Sequence, residues 1–335
     1  MSTLYKMNFY SLMVTGILIA SCSTSWIGMW MGLEINLLAI IPIMSSTKNK
    51  LESEAAMKYF ITQALASAIF IMSIMMKMST TEMLISSKIS FMILDSAILT
   101  KMGAAPFHFW FPEVMEGLSW INSTILLTIQ KIAPMVIFMY TNKSIMFMST
   151  VIILSMTTSG ILGINQTSMR KIMAYSSINH MGWMIGAMMT NNLIWLIYLV
   201  IYSLMTININ FMFKKMNIFS LSQLNNSMNQ NKSTKILFCL NFLSMGGIPP
   251  FIGFFPKWIT INSLINENLI LITLLMIILT LITLFFYMRI TFSAMLLSFS
   301  EKKNKPTHKM NPAIFTTSFI VLNSLAMSPL MISFI

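Results

Sequence analysis

An all-α membrane protein of about eleven transmembrane helices is predicted by three features of this sequence: its hydrophobicity, its charge asymmetry and a phrase that it contains twice. Hydrophobic residues make up 56% of the 335, charged residues only 9%, and the mean hydropathy is +0.77. A soluble domain carries about 25% charged residues. A chain of this size cannot cover a water-facing surface with so few, so lipid is its solvent. Successive apolar stretches of about 20 residues are each long enough to cross a bilayer. They read as spans at 5–25, 26–45, 55–76, 84–111, 120–141, 145–165, 171–190, 193–213, 236–265, 268–292 and 313–334.

Charge tests that reading. With these spans one side of the membrane receives Lys6, Lys48, Lys50, Lys58, Arg170, Lys171, Lys214, Lys215, Lys232, Lys235, Lys302, Lys303, Lys305 and Lys309. The other side receives little beyond Lys77, Lys88 and Lys143. Positive residues accumulate on the inner side, so the N-terminus is expected inside and the C-terminus outside. One span more or fewer would scramble the asymmetry. The net charge of +12 is thereby explained by topology, and no nucleic-acid partner is expected.

The repeated phrase is LTKMGAAPFHFWFP at 99–112 and LSMGGIPPFIGFFP at 243–256, 144 residues apart. Leu99, Gly103, Pro106, Phe107, Phe111 and Pro112 recur at the same offset. Gly and Pro are scarce, 12 and 10 in the chain, so their coincidence marks a repeat rather than chance. Each copy interrupts a long span, the fourth and the ninth. Helix breakers at such depth survive only where protein or a water-filled cavity surrounds the freed backbone groups. Breaks are therefore expected between Lys101 and Pro106 and between Gly246 and Gly253. Five crossings separate the two spans, so they run in opposite directions. The expected architecture is a single polytopic domain of two five-helix inverted repeats, 5–141 (spans 1–5) and 145–292 (spans 6–10), with a C-terminal helix at 313–334 appended. Many transporters are built so, with their ion sites near the breaks.

Composition also excludes. Two cysteines, Cys22 and Cys239, are too few for an iron–sulfur cluster, and both read as small buried apolar residues. The 37 methionines are scattered rather than clustered. No Gly-rich nucleotide loop, haem-spaced histidine pair or metal-ligand spacing is found, so no electron-carrying cofactor is expected on this chain. No cleavable presequence is visible after Lys6.

Polar groups inside spans stand out against this background. Glu34, mid-span in WMGLEINLL, costs about 2.5–3.5 kcal/mol to insert and so calls for a partner. Lys101 lies immediately before the first break. Burial favours a neutral amine and a neighbouring carboxylate an ammonium, so a Glu34–Lys101 pair would be a switch that releases a proton when its partners separate. The plainer reading is a lysine snorkelling to the interface. Lys131, in LLTIQKIAPMVIF, is central in span five and has little room to snorkel; Pro134 frees a carbonyl beside it. Lys257 follows the second phrase, displaced from the register of Lys101, and the adjacent Trp258 leaves an interfacial lysine as an equal alternative. His180, among Ser176, Ser177 and Asn179, suits a proton relay or a packing contact. His108, inside the first phrase, either relays protons or bonds freed carbonyls. Asp95 is left without a role.

With LTKMGAAPFHFWFPEVMEGL and GGIPPFIGFFPKW together, the sequence resembles the antiporter-like membrane subunits of respiratory complex I, in the form that animal mitochondria encode. The likeness covers essentially the whole chain, and the methionine richness fits a mitochondrial code that reads an extra codon as Met. Bacterial members carry three further N-terminal helices that are absent here. The resemblance implies roles: Glu34 as the glutamate and Lys101 as the lysine of a Glu–Lys pair, Lys131 as the central lysine, Lys257 as the terminal one, and His180 on the hydrophilic axis. It implies a proton-translocating subunit of the mitochondrial inner membrane, N-terminus in the matrix and C-terminus in the intermembrane space. NADH, FMN, iron–sulfur clusters and ubiquinone would be handled by other subunits. Implied partners are the other membrane-arm subunits and anionic phospholipids such as cardiolipin at the basic loops. A cation/proton antiporter of related fold, or a structural spacer of the arm, would share the same helices.

Overall fold

A computed structural model describes residues 3–46, 49–79, 84–141, 144–228 and 232–296. The expected span at 313–334 and the basic loop at 300–311 lie outside the described residues, as do Lys48 and Lys143. The described chain is helical: α1 Thr3–Cys22, α2 Trp26–Met44, α3 Lys50–Ser79, α4 Leu84–Met102, α5 Trp110–Gly117, α6 Trp120–Leu127, α7 Ile129–Met139, α8 Ile145–Ile164, α9 Met169–Thr190, α10 Asn192–Met216, α11 Leu221–Met228, α12 Lys232–Gly246, α13 Phe254–Asn266 and α14 Ile270–Leu296. Among the described residues, six stretches are long and apolar enough to cross a bilayer by themselves: Trp26–Met44, Lys50–Met78, Trp120–Met139, Ile145–Ile164, Asn192–Met216 and Ile270–Met295. Helices such as α4 and α9 fall short of that standard because they carry polar side chains that protein, not lipid, must solvate.

The chain divides into two compact units, Met1–Val151 and Ile152–Ile335. In the first, α1 and α2 pack through small residues. A Cβ on Gly32 would sit 2.7 Å from the Ala20 Cα, and one on Gly16 would sit 2.8 Å from the Asn36 nitrogen. Close backbone approach of this kind supplies helix association where apolar burial cannot, because lipid is as apolar as the helix. Helix α3 lies against α2, α4 and α5, and α7 packs on α1, α2, α4 and α6.

In the second unit α9 is the inner helix. Every residue from Ile172 to Met188 is buried, and α10, α13 and α14 pack on it. A helix enclosed all round by protein can hold Ser176, Ser177, Asn179 and His180 at membrane depth. The hairpin of α9 and α10 turns on the single residue Asn191, whose side chain accepts the Leu193 N–H at 3.0 Å and caps α10. At its far end Asn217 adopts a left-handed conformation (φ 51°), which asparagine tolerates. There Ser168 and Ser220 form an isolated bridge that ties the start of α9 to the end of α10.

Two expectations need correction. Span five is not one helix bent only at Pro134: it is also interrupted at Thr128 (φ −116°, ψ −75°), between α6 and α7. Threonine is no strong helix breaker, but its hydroxyl bonds the Thr124 carbonyl at 2.7 Å, a local contact of the sort that bends helices. Cys22, read as buried, is exposed where α1 ends; Cys239 is buried.

Candidate functional site

The first repeated phrase builds a helix stop. Helix α4 ends at Met102, and Gly103 turns left-handed (φ +74°) where a side chain would be strained. Its N–H bonds the Leu99 carbonyl at 3.0 Å and the Ala104 N–H bonds the same carbonyl at 3.1 Å, closing the helix end as a glycine cap. The Trp110 indole takes the Thr100 carbonyl at 3.0 Å, and His108 Nδ1 lies 3.3 Å from the Pro106 carbonyl. His108 thus bonds a carbonyl of the break. Chain then leaves for α5, and Lys101 is stranded in the last turn of α4.

Lys101 does not snorkel. It is 8% exposed, and its Nζ lies 3.8 Å from Glu34 Oε1 on α2, so the pair expected from sequence is brought together. Glu34 keeps about a quarter of its side-chain surface open. The helix end adds a second attraction, since the negative end of α4 favours a cation in its last turn.

Lys131 is 3% exposed on α7, with its Nζ 5.4 Å from the centroid of the Phe111 ring. Phe111 belongs to the first phrase, so the break and the central lysine meet. The turn bearing Lys131 is bounded by Thr128 before it and Pro134 after it. Proline removes the donor that would have bonded the Gln130 carbonyl. Beside it sits an amide pair that sequence reading missed. Asn36 Nδ2 donates to Gln130 Oε1 and Gln130 Nε2 donates to Asn36 Oδ1, both at 2.9 Å, and the Tyr59 hydroxyl donates to Gln130 Oε1 at 3.3 Å. Asn36, Tyr59 and Gln130 are all buried. The signal was present only as polarity inside apolar spans, two residues from Glu34 and one from Lys131. No spacing rule links positions 94 residues apart.

The second phrase repeats the stop. Gly247 is left-handed (φ +78°), the Gly247 N–H bonds the Ser244 carbonyl at 3.0 Å and the Ile248 N–H bonds Leu243 at 3.4 Å. Downstream, the Phe251 N–H to Ile248 carbonyl bond at 3.1 Å matches Phe107 to Ala104 at 2.9 Å, each pair shifted by the sequence offset. The two copies share the left-handed glycine and these turn bonds as well as letters. They differ in what they hold. Met245 occupies the place of Lys101, and Lys257 lies on α13, 7% exposed, its Nζ donating to the Gly246 carbonyl at 2.8 Å. It is therefore enclosed by protein, beside the exposed Trp258. The Trp183 ring centroid is 6.0 Å from the same Nζ.

His180 is 1% exposed, its Nδ1 2.9 Å from the Tyr198 hydroxyl and its ring 5.0 Å from that of Tyr202. Asn179, beside it, donates to Thr283 on α14 at 3.1 Å. Asp95 is buried on α4. Chemically, then, each unit gathers groups with exchangeable protons: Glu34, Lys101 and Lys131 with Asp95, His108 and Tyr59 in the first, Lys257, His180 and tyrosines in the second. Those are the groups of acid–base transfer, which needs hydrogen-bond reach or one bridging water between partners.

Buried lysines at glycine-capped helix breaks, inside an apolar helical protein, define a membrane subunit of the antiporter type. The family model described as "NADH:quinone oxidoreductase/Mrp antiporter, TM" matches residues 23–283. NADH-ubiquinone oxidoreductase chain 2 of Anopheles gambiae is 46% identical over 326 residues, covering 95% of either chain. The protein of that name from Locusta migratoria is 44% identical, covering 92% of this chain and 91% of its own, and that from Bos taurus 37%, covering 94% and 93%. The chain belongs to this family, among the relatives that bear the name NADH-ubiquinone oxidoreductase chain 2. Its fold is also that of a chain in respiratory complex I from Thermus thermophilus with bound aureothin (TM-score 0.85, 20% identity, 96% of this chain and 78% of that one). A chain of the Mrp complex from Dietzia sp. DQ12-45-1b is similar as well (TM-score 0.77, 12% identity, 96% and 75%).

Proposed function

We propose that the protein is a proton-translocating subunit of the membrane arm of respiratory complex I, in the mitochondrial inner membrane. It moves protons from matrix to intermembrane space, driven by NADH-to-ubiquinone electron transfer that other subunits carry out. Its neighbours are the other membrane-arm subunits, with anionic phospholipids at the basic loops. In this reading eleven spans form two inverted five-helix repeats plus a last helix, with the N-terminus in the matrix. Glu34, Lys101, Lys131 and Lys257 carry the protons, with His180 beside them and His108 at the first break.

The observation that carries the reading is the buried Lys101 held 3.8 Å from the partly exposed Glu34, beside the helix that buries Lys131. A lone ionised group at this depth is costly, and such groups mark ion and proton pathways. Opening the pair leaves Lys101 without its counter-charge and favours release of its proton toward the next acceptor. Lys131→Ala in the assembled complex should lower proton pumping at this step by about two orders of magnitude or more, and slow quinone reduction because the two are coupled. Lys131→Arg keeps the charge and much of the volume but stays protonated to above about pH 12. It should fail nearly as badly. Full pumping by an assembled Lys131→Arg complex would reduce the lysine to field or packing and favour a structural spacer.

The family description and the likeness to an Mrp complex chain support one second reading, a cation/proton antiporter of the same fold. Sodium-dependent proton exchange by the isolated chain in vesicles would favour it.

A further inference from the structure

The amide pair of α2 and α7 lies between the Glu34–Lys101 pair and the turn that bears Lys131. Glu34 and Asn36 are two residues apart on α2, so they point to different sides of that helix. Glu34 meets Lys101 on α4; Asn36 meets Gln130 on α7, the residue before Lys131. Two hydrogen bonds run in opposite senses between the same two amides, and a tyrosine hydroxyl adds a third. All three side chains are at most 8% exposed. Breaking such a pair without water leaves three buried polar groups unmet, since Tyr59 still serves Gln130 Oε1, each at the full cost of desolvation. Helix α2 and the Gln130 turn therefore move together or not at all.

That turn is also bounded on both sides by breaks in the helical bonding of the segment. Thr128 interrupts the helix on one side of it, and Pro134 denies the Gln130 carbonyl its helical donor on the other. It is a short helical segment, loosened at both ends and fastened sideways to α2.

We propose that Asn36, Gln130 and Tyr59 are positioning residues that pass a displacement of Glu34 to Lys131. When Glu34 moves relative to Lys101, α2 carries the amide pair with it and re-aims the turn that bears Lys131. This rests on the reading of Glu34, Lys101 and Lys131 as proton carriers. It adds a mechanical link between the first pair and the central lysine, distinct from any chain of waters between them.

A double-mutant cycle in the assembled complex tests it, with protons pumped per NADH oxidised as the readout and complex abundance as the assembly control. Gln130→Met keeps the length of the side chain and removes its amide. Expected is a complex that assembles and pumps less, and in which adding Glu34→Gln costs a smaller factor than Glu34→Gln does alone, because its effect at Lys101 remains while its signal to Lys131 is already cut. A merely structural role predicts instead that the two losses multiply, and that outcome overturns the proposal. Full pumping by Gln130→Met also overturns it. Should that variant not assemble, Tyr59→Phe, which loses one hydroxyl, is combined with Glu34→Gln and judged by the same two outcomes. Exchanging the amides, Asn36→Gln with Gln130→Asn, should restore pumping lost in either single change. If Lys131→Ala pumps normally the proton-carrier reading itself fails; if Lys131→Ala is dead while Gln130→Met pumps fully, only the link fails.

Discussion

Lys101 and Lys257 are one residue type at two copies of the same helix stop, yet they are held differently. Lys101 faces a side-chain carboxylate that can move or take a proton; Lys257 donates to the main-chain carbonyl of Gly246, which can do neither. The carbonyl sits at the negative end of α12, where a cation is favoured. Gly247 makes this possible twice over. Its φ of +78° lies where a side chain costs about 1–2 kcal/mol, and a Cβ there would sit 2.8 Å from the Lys257 Nζ. Gly247→Ala should therefore lower the thermal stability of the complex and displace Lys257, so that pumping falls with it. Its neighbour is the control. A Cβ on Gly246 meets nothing nearer than 3.6 Å, and alanine is favoured over glycine in a helix by about 1 kcal/mol, so Gly246→Ala should be neutral or stabilising. Thermal inactivation of the two variants side by side checks this; equal losses would remove the special role of Gly247.

Among elements, the seam between α1 and α2 has little room to adapt. Gly32 lies against backbone atoms of Ala20, which cannot rotate away as a side chain can. Gly32→Val should cost about 3 kcal/mol and reduce the abundance of assembled complex. Gly163→Ala, whose Cβ would meet the movable ring of Phe286 at 3.1 Å, should be much milder. Comparable assembly of the two variants would contradict this account of the seam. The seam also indicates what sequence can and cannot announce. The two helix stops were legible because Gly and Pro are rare here and recur at one offset; the burial of Lys101 and Lys131 was legible because charge at span centre has to be met by protein. The break at Thr128 was not, since threonine carries no fixed backbone preference for it and only its hydroxyl contact reveals it. Nor was the Asn36–Gln130 pair, because two amides in different helices leave no periodic trace.

At the scale of the whole molecule, charge placement reports orientation, and the second unit lets it be separated from helix polarity. Arg170 and Lys171 stand at the start of α9, where the helix dipole disfavours cations. Lys214 and Lys215 stand at the end of α10, where it favours them. The Ser168–Ser220 bridge puts these two pairs at the same end of the hairpin. Lys235 reaches the Met295 carbonyl near the end of α14, and Arg289 the Ile164 carbonyl where α8 ends. The opposite end holds a cleft of about 440 Å³ lined by Thr190, Asn191, Asn262, Asn266 and Glu267, with no lysine or arginine in its wall. Dipole energies of about 0.3–1 kcal/mol per charge are thus overruled by something that sorts cations by end and not by helix sense. Retention of positive residues on the inner side is such a rule. The basic end should face the matrix and the cleft the intermembrane space. With Cys22 and Cys239 replaced by serine, Asn266→Cys should react with a membrane-impermeant maleimide in mitoplasts and be protected in inside-out particles. Lys215→Cys should show the reverse. Both residues are exposed on this chain. Labelling of Lys215→Cys from the intermembrane side would invert the topology and, with it, the direction in which the two helix stops open.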